Sequence, residues 1–373
     1  MAKYFDNAAT TIISKKALEA YNNISLNYFA NPSANHSLGQ ECKSVLEENR
    51  LIIANLLKVT PNTIYFTSGG TESNSIILSS LLWSKSPGEI IIGKTEHSSI
   101  LNFERILSEK GYKVITLNAP NGFISKELLK KKLTNKTRMV VIQTVNNVTG
   151  SINDIENLVK VVRDKEKEIG RKIYFHTDAV QALTKIDLDL NKFDVDSASF
   201  SAHKFHGPRG IGFLYSKNPN VQPLSRGGGQ ERGLRAGTEN LAAIVAMRVA
   251  LEEYLFIKND NVIEINKYVR ENLKPQIISP NSNVSPFIIN FSVSPFPSEV
   301  FTRMLNDEGF IVSSGSACSN NVKNKGENVL IAMNIKPNVA KSSVRISFNK
   351  NTDINDAISL VKKINSLYDT LIR

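Results

Sequence analysis

The sequence predicts an α/β protein with two domains, a large one built on a mostly parallel β-sheet covered by helices and a smaller α/β domain at the C-terminal end. Three observations support this fold class. The chain has 373 residues, which is too long for one small hydrophobic core. In its first part, short runs rich in β-branched residues alternate with helical stretches, a pattern typical of parallel strands with helices on both faces. Past a long apolar stretch near residue 250, the pattern changes.

The N-terminal segment is predicted to be a short strand that breaks into a turn of small residues, at positions 4–11. Turn-forming residues at 31–36 precede a long amphipathic helix at about 37–58. Cys42 lies on the apolar face of this helix, so we expect it in the core and not in the chemistry.

Strands and helices then alternate regularly. Strands are predicted at 63–67, 89–92, 113–117, 138–144, 172–176, 196–200 and 211–215. The first intervening helix opens from a Gly-rich turn at 68–74 and runs to about 83, and others are predicted at 98–110, 125–133 and 154–169. Ligands of such folds bind at the carboxyl ends of the strands, so the residues that follow each strand are the first candidates for a site.

An apolar helix at 239–257 is expected to bridge the two domains. Strands near 286–293, 310–314 and 342–348 follow it, with helices near 298–308, 327–333 and 353–372. We therefore expect a large domain at 15–250 and a small domain formed by 1–14 and 251–373, which carries the loop around Cys318.

Composition and cysteine usage favour a cytoplasmic globular protein. Hydrophobic residues make up 41% of the chain and charged residues 22%, which is ordinary for a soluble protein. We see no apolar run long enough for a membrane span and no apolar secretory signal at the N-terminus. The two cysteines, Cys42 and Cys318, do not form a disulfide framework, which fits a reducing compartment.

The net charge of +11 raises the alternative of an acidic partner such as RNA. A lysine-rich surface explains the charge better, because many lysines alternate with glutamates in helical stretches such as 160–172. No recognisable RNA-binding motif of alternating basic and aromatic residues is present. We therefore expect no direct nucleic-acid partner and no membrane contact.

The segment 201–210 is the most informative part of the chain. It places Lys204 at the end of a predicted strand, flanked by His203 and His206 and closed by a Gly-Pro pair. A lysine that forms a Schiff base with an aldehyde cofactor must be held still and must lose its proton readily. The alternative is a strand-to-turn junction with a solvated lysine.

Two other strand ends suit an anionic, aromatic cofactor. Gly69, Gly70 and Thr71 open a helix whose N-terminal N–H groups favour a phosphate, although Gly-rich helix starts are common. Asp178 follows a strand, where it is able to pair with a protonated pyridine nitrogen and make the ring an electron sink. The alternative for Asp178 is the N-cap of the next helix.

Two more strand ends carry polar side chains of the same kind. His97 is suited to stack on a flat cofactor and to transfer a proton, or else it simply precedes an N-capping Ser98. The segment 145–150 offers an Asn side chain for a phenolic oxygen, or else a turn built by Asn and Gly.

The C-terminal part adds a candidate nucleophile and a candidate carboxylate receptor. Cys318 lies among small polar residues on a predicted loop, where Lys323 and Lys325 favour its thiolate form. The alternative is an adventitious exposed thiol. Arg345 lies inside a predicted strand, and an Arg with buried neighbours pairs with a carboxylate of the protein or of a substrate.

Together these residues resemble the pyridoxal-phosphate enzymes of fold type I, in the class V aminotransferase group, and more closely the cysteine desulfurases of the NifS/IscS type. The matching segments run in family order over nearly the whole chain: 6–11, 31–33 with His36, 67–73, 96–97, 145–147, Asp178 with Gln181, 201–204, 235–238, 313–318 and Arg345. The resemblance implies a seven-stranded sheet in the large domain and pyridoxal 5′-phosphate as the cofactor.

The resemblance also implies a role for each matching residue. The implied catalytic residues are Lys204, which forms the Schiff base, the nucleophile Cys318, and His97, which transfers protons. The implied cofactor-binding residues are Gly70, Thr71, His97, Asn147, Asp178, Gln181, Ser201, His203, Lys204 and Thr238, the last from a second subunit. Of these, Gln181 and Asn147 are implied to bond the phenolic oxygen of the cofactor ring. The implied substrate-binding residues are Asn31, Asn147 and Arg345, and no metal site is expected.

The resemblance implies that L-cysteine is converted to L-alanine while its sulfur becomes a persulfide on Cys318. A homodimer is implied, as is an acceptor protein, either an iron–sulfur scaffold or a thiolation enzyme. The alternatives are a selenocysteine lyase, another class V enzyme such as an aminotransferase, or a non-catalytic protein that kept the fold. Two departures from the family pattern are Val148, where Glu is usual, and Gly70, where Ala is usual.

Overall fold

A computed structural model describes residues 2–315 and 325–372, with the side chains of 325–328 left out. Its strands are β1 (Lys3–Tyr4), β2 (Ile64–Thr67), β3 (Glu89–Gly93), β4 (Lys113–Leu117), β5 (Thr137–Val141), β6 (Tyr174–Asp178), β7 (Ser197–Ser201), β8 (Gly212–Ser216), β9 (Gln276–Ile277), β10 (Ile288–Ser292), β11 (Phe310–Ile311), β12 (Ser313–Ser314) and β13 (Ser343–Ser347).

Its α-helices are α1 (Lys15–Asn27), α2 (Ser37–Leu56), α3 (Gly70–Ser80), α4 (Ser98–Leu101), α5 (Phe103–Glu109), α6 (Lys126–Lys132), α7 (Ile155–Ile169), α8 (Leu190–Phe193), α9 (Leu241–Leu255), α10 (Asp260–Asn272), α11 (Ser298–Asp307), α12 (Lys325–Ala332), α13 (Pro337–Lys341) and α14 (Ile354–Ile372). None of these helices is both long enough and apolar enough to cross a membrane.

The large sheet has seven strands in the order β2-β8-β7-β6-β5-β3-β4. Strands β4, β3, β5, β6 and β7 pair in parallel, while β8 runs antiparallel to both β7 and β2. The predicted seven-stranded, mostly parallel sheet is therefore confirmed. The carboxyl ends of the parallel strands meet at one edge, where the chain continues into the segments around Lys204 and Asp178.

Both faces of this sheet are buried, as the β-branched strands predict. Within β3, Ile91 belongs to one buried cluster while Ile90 and Ile92 belong to the cluster on the opposite face. This alternation is what the two-residue period of a strand requires. Cys42 is 1% exposed within the core, as expected.

A second, antiparallel sheet has the order β12-β13-β10-β9 and shares a core with helices α10, α11 and α14. The N-terminal segment joins this core, because β1 pairs in parallel with β11 and Phe5 is buried against Phe310 and Phe348. Residues from the first and last parts of the chain thus pack in one cluster. The exact division of the chain at residues 14 and 250 stays a prediction.

Some predicted elements differ in detail. The helix predicted at 98–110 is two helices, α4 and α5, that meet at Asn102. The strand predicted at 310–314 is interrupted at Val312 and forms β11 and β12 in different sheets. Helix α1 was not predicted, because it buries only Ala17 and Ile24 and therefore shows little apolar periodicity.

Candidate active site

Lys204 lies just past the end of β7, in a short 3₁₀ turn at Ala202–Lys204. Its Nζ donates hydrogen bonds to the carbonyl oxygens of Ala8, at 2.8 Å, and Ala9, at 2.6 Å. The N-terminal turn thus lies directly against this lysine. Sequence reasoning found both segments, but nothing in the sequence showed that they touch.

Asp178 ends β6, the neighbouring strand, where it is registered with Ser199 of β7. Its Oδ2 accepts a hydrogen bond from Asn74 Nδ2 at 2.9 Å, and its Oδ1 accepts one from the Val180 amide at 3.0 Å. Both carboxylate oxygens of Asp178 are therefore held in place by donors of the protein. The alternative reading of Asp178 as a helix N-cap does not apply, since no α-helix begins there.

Asn74 is oriented by His176, a support that sequence reasoning missed. The His176 ring is fully buried, with Nδ1 2.8 Å from Ser197 Oγ and Nε2 2.9 Å from Asn74 Oδ1. Burial lowers the pKa of His176 to about 4, so the ring is neutral at physiological pH. With its Nε2–H donating to Asn74 Oδ1, the Asn74 amide must turn its NH₂ group to Asp178. The sequence shows both as polar residues, Asn74 in the Gly-rich turn at 68–74 and His176 in the predicted strand at 172–176, but it does not show that they touch.

His97 caps the N-terminus of α4 and is exposed at the carboxyl end of β3. Its Nδ1 accepts a hydrogen bond from the Ser99 amide at 3.2 Å and lies 2.8 Å from Ser99 Oγ. A backbone amide can only donate, so the neutral ring carries its proton on Nε2. Ser99 Oγ also accepts from Asn74 Nδ2 at 2.9 Å, which links His97 to the residue that holds Asp178.

A second buried carboxyl group, that of Glu96, lies beside His97 in the chain. Burial raises the pKa of Glu96 well above its ordinary value, and the nearby charge of Asp178 acts in the same direction. Its Oε1 accepts a hydrogen bond from the Gln143 amide at 2.8 Å. Glu96 is therefore expected to be protonated, and it ties the end of β3 to the segment after β5.

The N-terminus of α3 forms a cradle suited to an anion. Gly69 precedes the helix with φ +144°, and a side chain there would come within 3.1 Å of Ser201 Oγ. His203 lies nearby in the chain, with Nδ1 3.2 Å from Thr10 Oγ1. Burial and then the charge of Lys204 lower the pKa of His203 to about 3, so it is a neutral donor. Backbone N–H groups, a hydroxyl and the helix dipole together favour a phosphate.

Arg345 lies on β13 and is 3% exposed. Its Nη2 donates to Asp6 Oδ1 at 2.7 Å and its Nη1 donates to the Asn147 carbonyl oxygen at 2.8 Å. The predicted carboxylate partner is thus supplied by the protein itself. The group of Asn147 that contacts Arg345 is its backbone carbonyl.

Two of the predicted site residues, Asn31 and Thr238, have no contact with this cluster among those described, and a third, Cys318, is not described. Asn31 is exposed, and its Oδ1 accepts a hydrogen bond from the Ser33 amide at 2.9 Å within its own turn. Thr238 is exposed on the segment after the 3₁₀ turn at Glu231–Gly233. Cys318 and its predicted loop lie outside the described residues.

Val148, which departs from the family pattern, is buried in an apolar cluster. Its side chain is 6% exposed and packs with Ile278, Val329 and Leu330. A Glu at this position would be buried among apolar side chains, at a considerable cost in free energy. Valine therefore suits the packing between the segment after β5 and helix α12.

The donor set fits pyridoxal phosphate. A lysine, a doubly hydrogen-bonded carboxylate and an anion cradle converge at one edge of the sheet, from β7, β6 and α3. These are the groups that hold an aldehyde, a pyridinium nitrogen and a phosphate.

The family profile described as aminotransferase class V matches residues 3–360. The chain belongs to this family. Among class V aminotransferases, it is 37% identical to a NifS/IcsS protein homolog of Lactobacillus delbrueckii subsp. bulgaricus, covering 98% of this chain and 97% of that protein. It is 35% identical to the cysteine desulfurase IscS of Dictyoglomus turgidum, covering 97% and 94% of the two chains.

Two solved structures are similar to this chain over most of its length. A NifS-like protein superposes with a TM-score of 0.91 and 33% identity, over 99% of this chain and 100% of that one. SspA in complex with cysteine superposes with a TM-score of 0.81 and 31% identity, over 93% and 98%. The prediction of a NifS/IscS-type cysteine desulfurase fold and family is confirmed, and this family depends on pyridoxal phosphate.

Proposed function

We propose that this chain is a pyridoxal-phosphate-dependent cysteine desulfurase, which transfers the sulfur of L-cysteine to Cys318 and releases L-alanine. The neighbouring positions of Lys204 and Asp178, on adjacent strand ends beside the N-terminus of α3, are the observation that supports it most. A transaminase of the same fold has no need of a loop cysteine, so Cys318 favours sulfur transfer.

The cofactor is proposed to be held by one group of residues at the edge of the large sheet. Its phosphate would bind the start of α3 with Ser201, its ring nitrogen would pair with Asp178, and its aldehyde carbon would bind Lys204. The full set is Gly70, Thr71, His97, Asn147, Asp178, Gln181, Ser201, His203, Lys204 and, from a second subunit, Thr238. When bound, the cofactor supplies an electron sink for bond breaking at the substrate.

The remaining residues act on the substrate. Arg345 holds the substrate carboxylate, helped by Asn147 and by the Asn31 segment. His97, whose Nε2 carries the proton of the neutral ring, exchanges a proton with the reacting centre. The Cys318 thiolate accepts the sulfur atom, so the carbon–sulfur bond of cysteine breaks as the sulfur–sulfur bond of the persulfide forms.

The sulfur is then passed to an acceptor protein by exchange between thiols. An iron–sulfur scaffold and a thiolation enzyme are both suitable acceptors. A homodimer is proposed because Thr238 is exposed and its cofactor role requires a second subunit. The cytoplasmic location and the domain division at 15–250 belong to the same proposal.

The test is to load the purified protein with pyridoxal phosphate and to measure alanine and sulfide formed from L-cysteine with a reductant. Wild type should be yellow and active. Cys318→Ala should keep the absorbance of the bound cofactor and lose turnover, whereas Lys204→Ala should lose both. If Cys318→Ala turned cysteine over at the wild-type rate, the assignment of the nucleophile would be wrong.

A further inference from the structure

Lys185 is a buried lysine beside the candidate site, and nothing above gives it a role. Its side chain is 5% exposed, and the charged groups that act on it within the described residues are the cations Lys204 and Arg345. A buried cation without a neighbouring carboxylate costs free energy. Such costly groups cluster at functional sites.

The contacts of Lys185 point to one neighbour. Its Nζ donates a hydrogen bond to Gln181 Oε1 at 2.5 Å, and Gln181 Nε2 in turn donates to the Ala8 carbonyl oxygen at 2.8 Å. An amine held this way requires the oxygen end of the amide, so Lys185 fixes which way the Gln181 side chain points. The Gln181 NH₂ group then faces the Ala8 carbonyl, to which Lys204 Nζ also donates.

The charges around Lys185 explain why an anionic oxygen would be favourable there. Burial, and then the charges of Lys204 and Arg345, lower the pKa of Lys185 to about 7. Burial lowers the pKa of both His203 and His206, and the charge of Lys185 acts in the same direction. This part of the site therefore repels a further cation and attracts a negatively charged oxygen.

We infer that Lys185 is a positioning residue for the phenolic oxygen of the cofactor. It holds the NH₂ group of Gln181 at the Ala8 carbonyl, so that the second N–H of this group is available to that oxygen. In its protonated form Lys185 also sets a positive charge behind the amide. Lys185 acts through Gln181 and does not touch the reacting atoms. The inference rests on the proposed function, since it takes pyridoxal phosphate as the ligand of Gln181.

The experiment compares Lys185→Met with Lys350→Met. Lys350 is a matched control because it is also a buried lysine, but its Nζ donates to the carbonyl oxygens of Tyr254, at 2.7 Å, and Ile257, at 2.5 Å. Two quantities are measured: the pH midpoint at which the absorbance of the bound cofactor changes, and the dissociation constant of pyridoxal phosphate from the unloaded protein.

Loss of the Lys185 charge should make protonation of the bound cofactor easier, raising the midpoint by about one pH unit. Loss of the oriented donor should weaken pyridoxal phosphate binding about tenfold. Lys350→Met should leave both quantities at their wild-type values. Lys185→Gln, a second uncharged variant, should raise the midpoint as well and serves if the Met variant does not fold.

A variant of Gln181 tests whether Lys185 acts through it. Gln181→Ala and the double variant with Lys185→Met should bind pyridoxal phosphate equally weakly, because Lys185 has nothing left to orient.

Additive losses of affinity would overturn the inference, as would an unchanged midpoint in both Lys185 variants or an equal shift in Lys350→Met. If wild type bound the cofactor and produced alanine under those outcomes, the proposed function would stand and only this inference would fail. A wild-type chain that bound no pyridoxal phosphate would overturn both.

Discussion

At the scale of single residues, Gly70 shows how closely the phosphate cradle is packed. A Cβ atom built on Gly70 lies 2.4 Å from Val180 Cγ2, so Ala, the residue usual in the family, does not fit here without movement. Because valine is stiff at its first side-chain torsion, the clash is not easily relieved. Gly70→Ala should lower the free energy of unfolding by about 1–3 kcal/mol, measured by urea denaturation.

The matched variant for Gly70→Ala is a change at Val180, the residue that the added methyl group would meet. Val180→Ala removes the clashing methyl group, so Gly70→Ala combined with Val180→Ala should be more stable than the sum of the two single changes predicts. Strictly additive effects would show that the two side chains do not compete for this space.

His176 is predicted to make the protein sensitive to acid. Its pKa is about 4 in the folded chain against an ordinary value of 6.5, so the folded state prefers the neutral ring. Its contribution is fully present above pH 6.5 and is lost as the pH falls from 6.5 through 4, by up to about 3 kcal/mol. His176→Asn should flatten the pH profile of the free energy of unfolding in this window. A profile as steep as that of wild type would contradict the assignment.

At the scale of elements, a buried ion pair fixes the 3₁₀ turn at Glu231–Gly233 that leads to Thr238. Arg50 of α2 donates to both carboxylate oxygens of Glu231, at 2.8 and 2.9 Å, and the Phe66 amide donates to the same group at 2.8 Å. Glu231 also has a positive φ of 47°, a conformation that needs support from its surroundings.

Breaking this pair should be costly. Glu231→Gln leaves the buried Arg50 without its main counter-charge and should lower the free energy of unfolding by about 3 kcal/mol. The control is Glu47→Gln, because Glu47 also pairs with Arg50 but its side chain is 52% exposed. That change should cost less than about 1 kcal/mol. Equal losses in thermal or urea unfolding would show that the buried pair is not what holds the turn.

At the scale of the whole molecule, sequence periodicity predicted the sheet but not the contacts that orient its site. The strands β3 and β5 were predictable because their β-branched residues fill both faces of a parallel sheet. Lys204 and Asp178 were predictable as candidates because ligands of such folds bind at the carboxyl ends of the strands. The link from His176 through Asn74 to Asp178 was not, since it joins positions about a hundred residues apart.

The N-terminal segment connects the two sheets. Phe5 is 1% exposed in the core of the small sheet, while the carbonyls of Ala8 and Ala9, a few residues on, hold Lys204. A change at Phe5, in the core of the small sheet, should therefore alter the site around Lys204 at the edge of the large sheet. Phe5→Ala should lower the free energy of unfolding by about 3–5 kcal/mol and also weaken pyridoxal phosphate binding.

Phe301→Ala separates this coupling from a loss of stability alone. Phe301 is fully buried in the same cluster, but it belongs to α11 and not to the N-terminal segment. It should cost a similar amount of stability while leaving the cofactor dissociation constant unchanged, as measured by titration of the unloaded folded protein. If both variants weakened cofactor binding equally, the general loss of stability would explain the effect. If neither did, the Ala8 and Ala9 carbonyls would be positioned by contacts within the large-sheet part of the chain, such as that of Gln181 with Ala8.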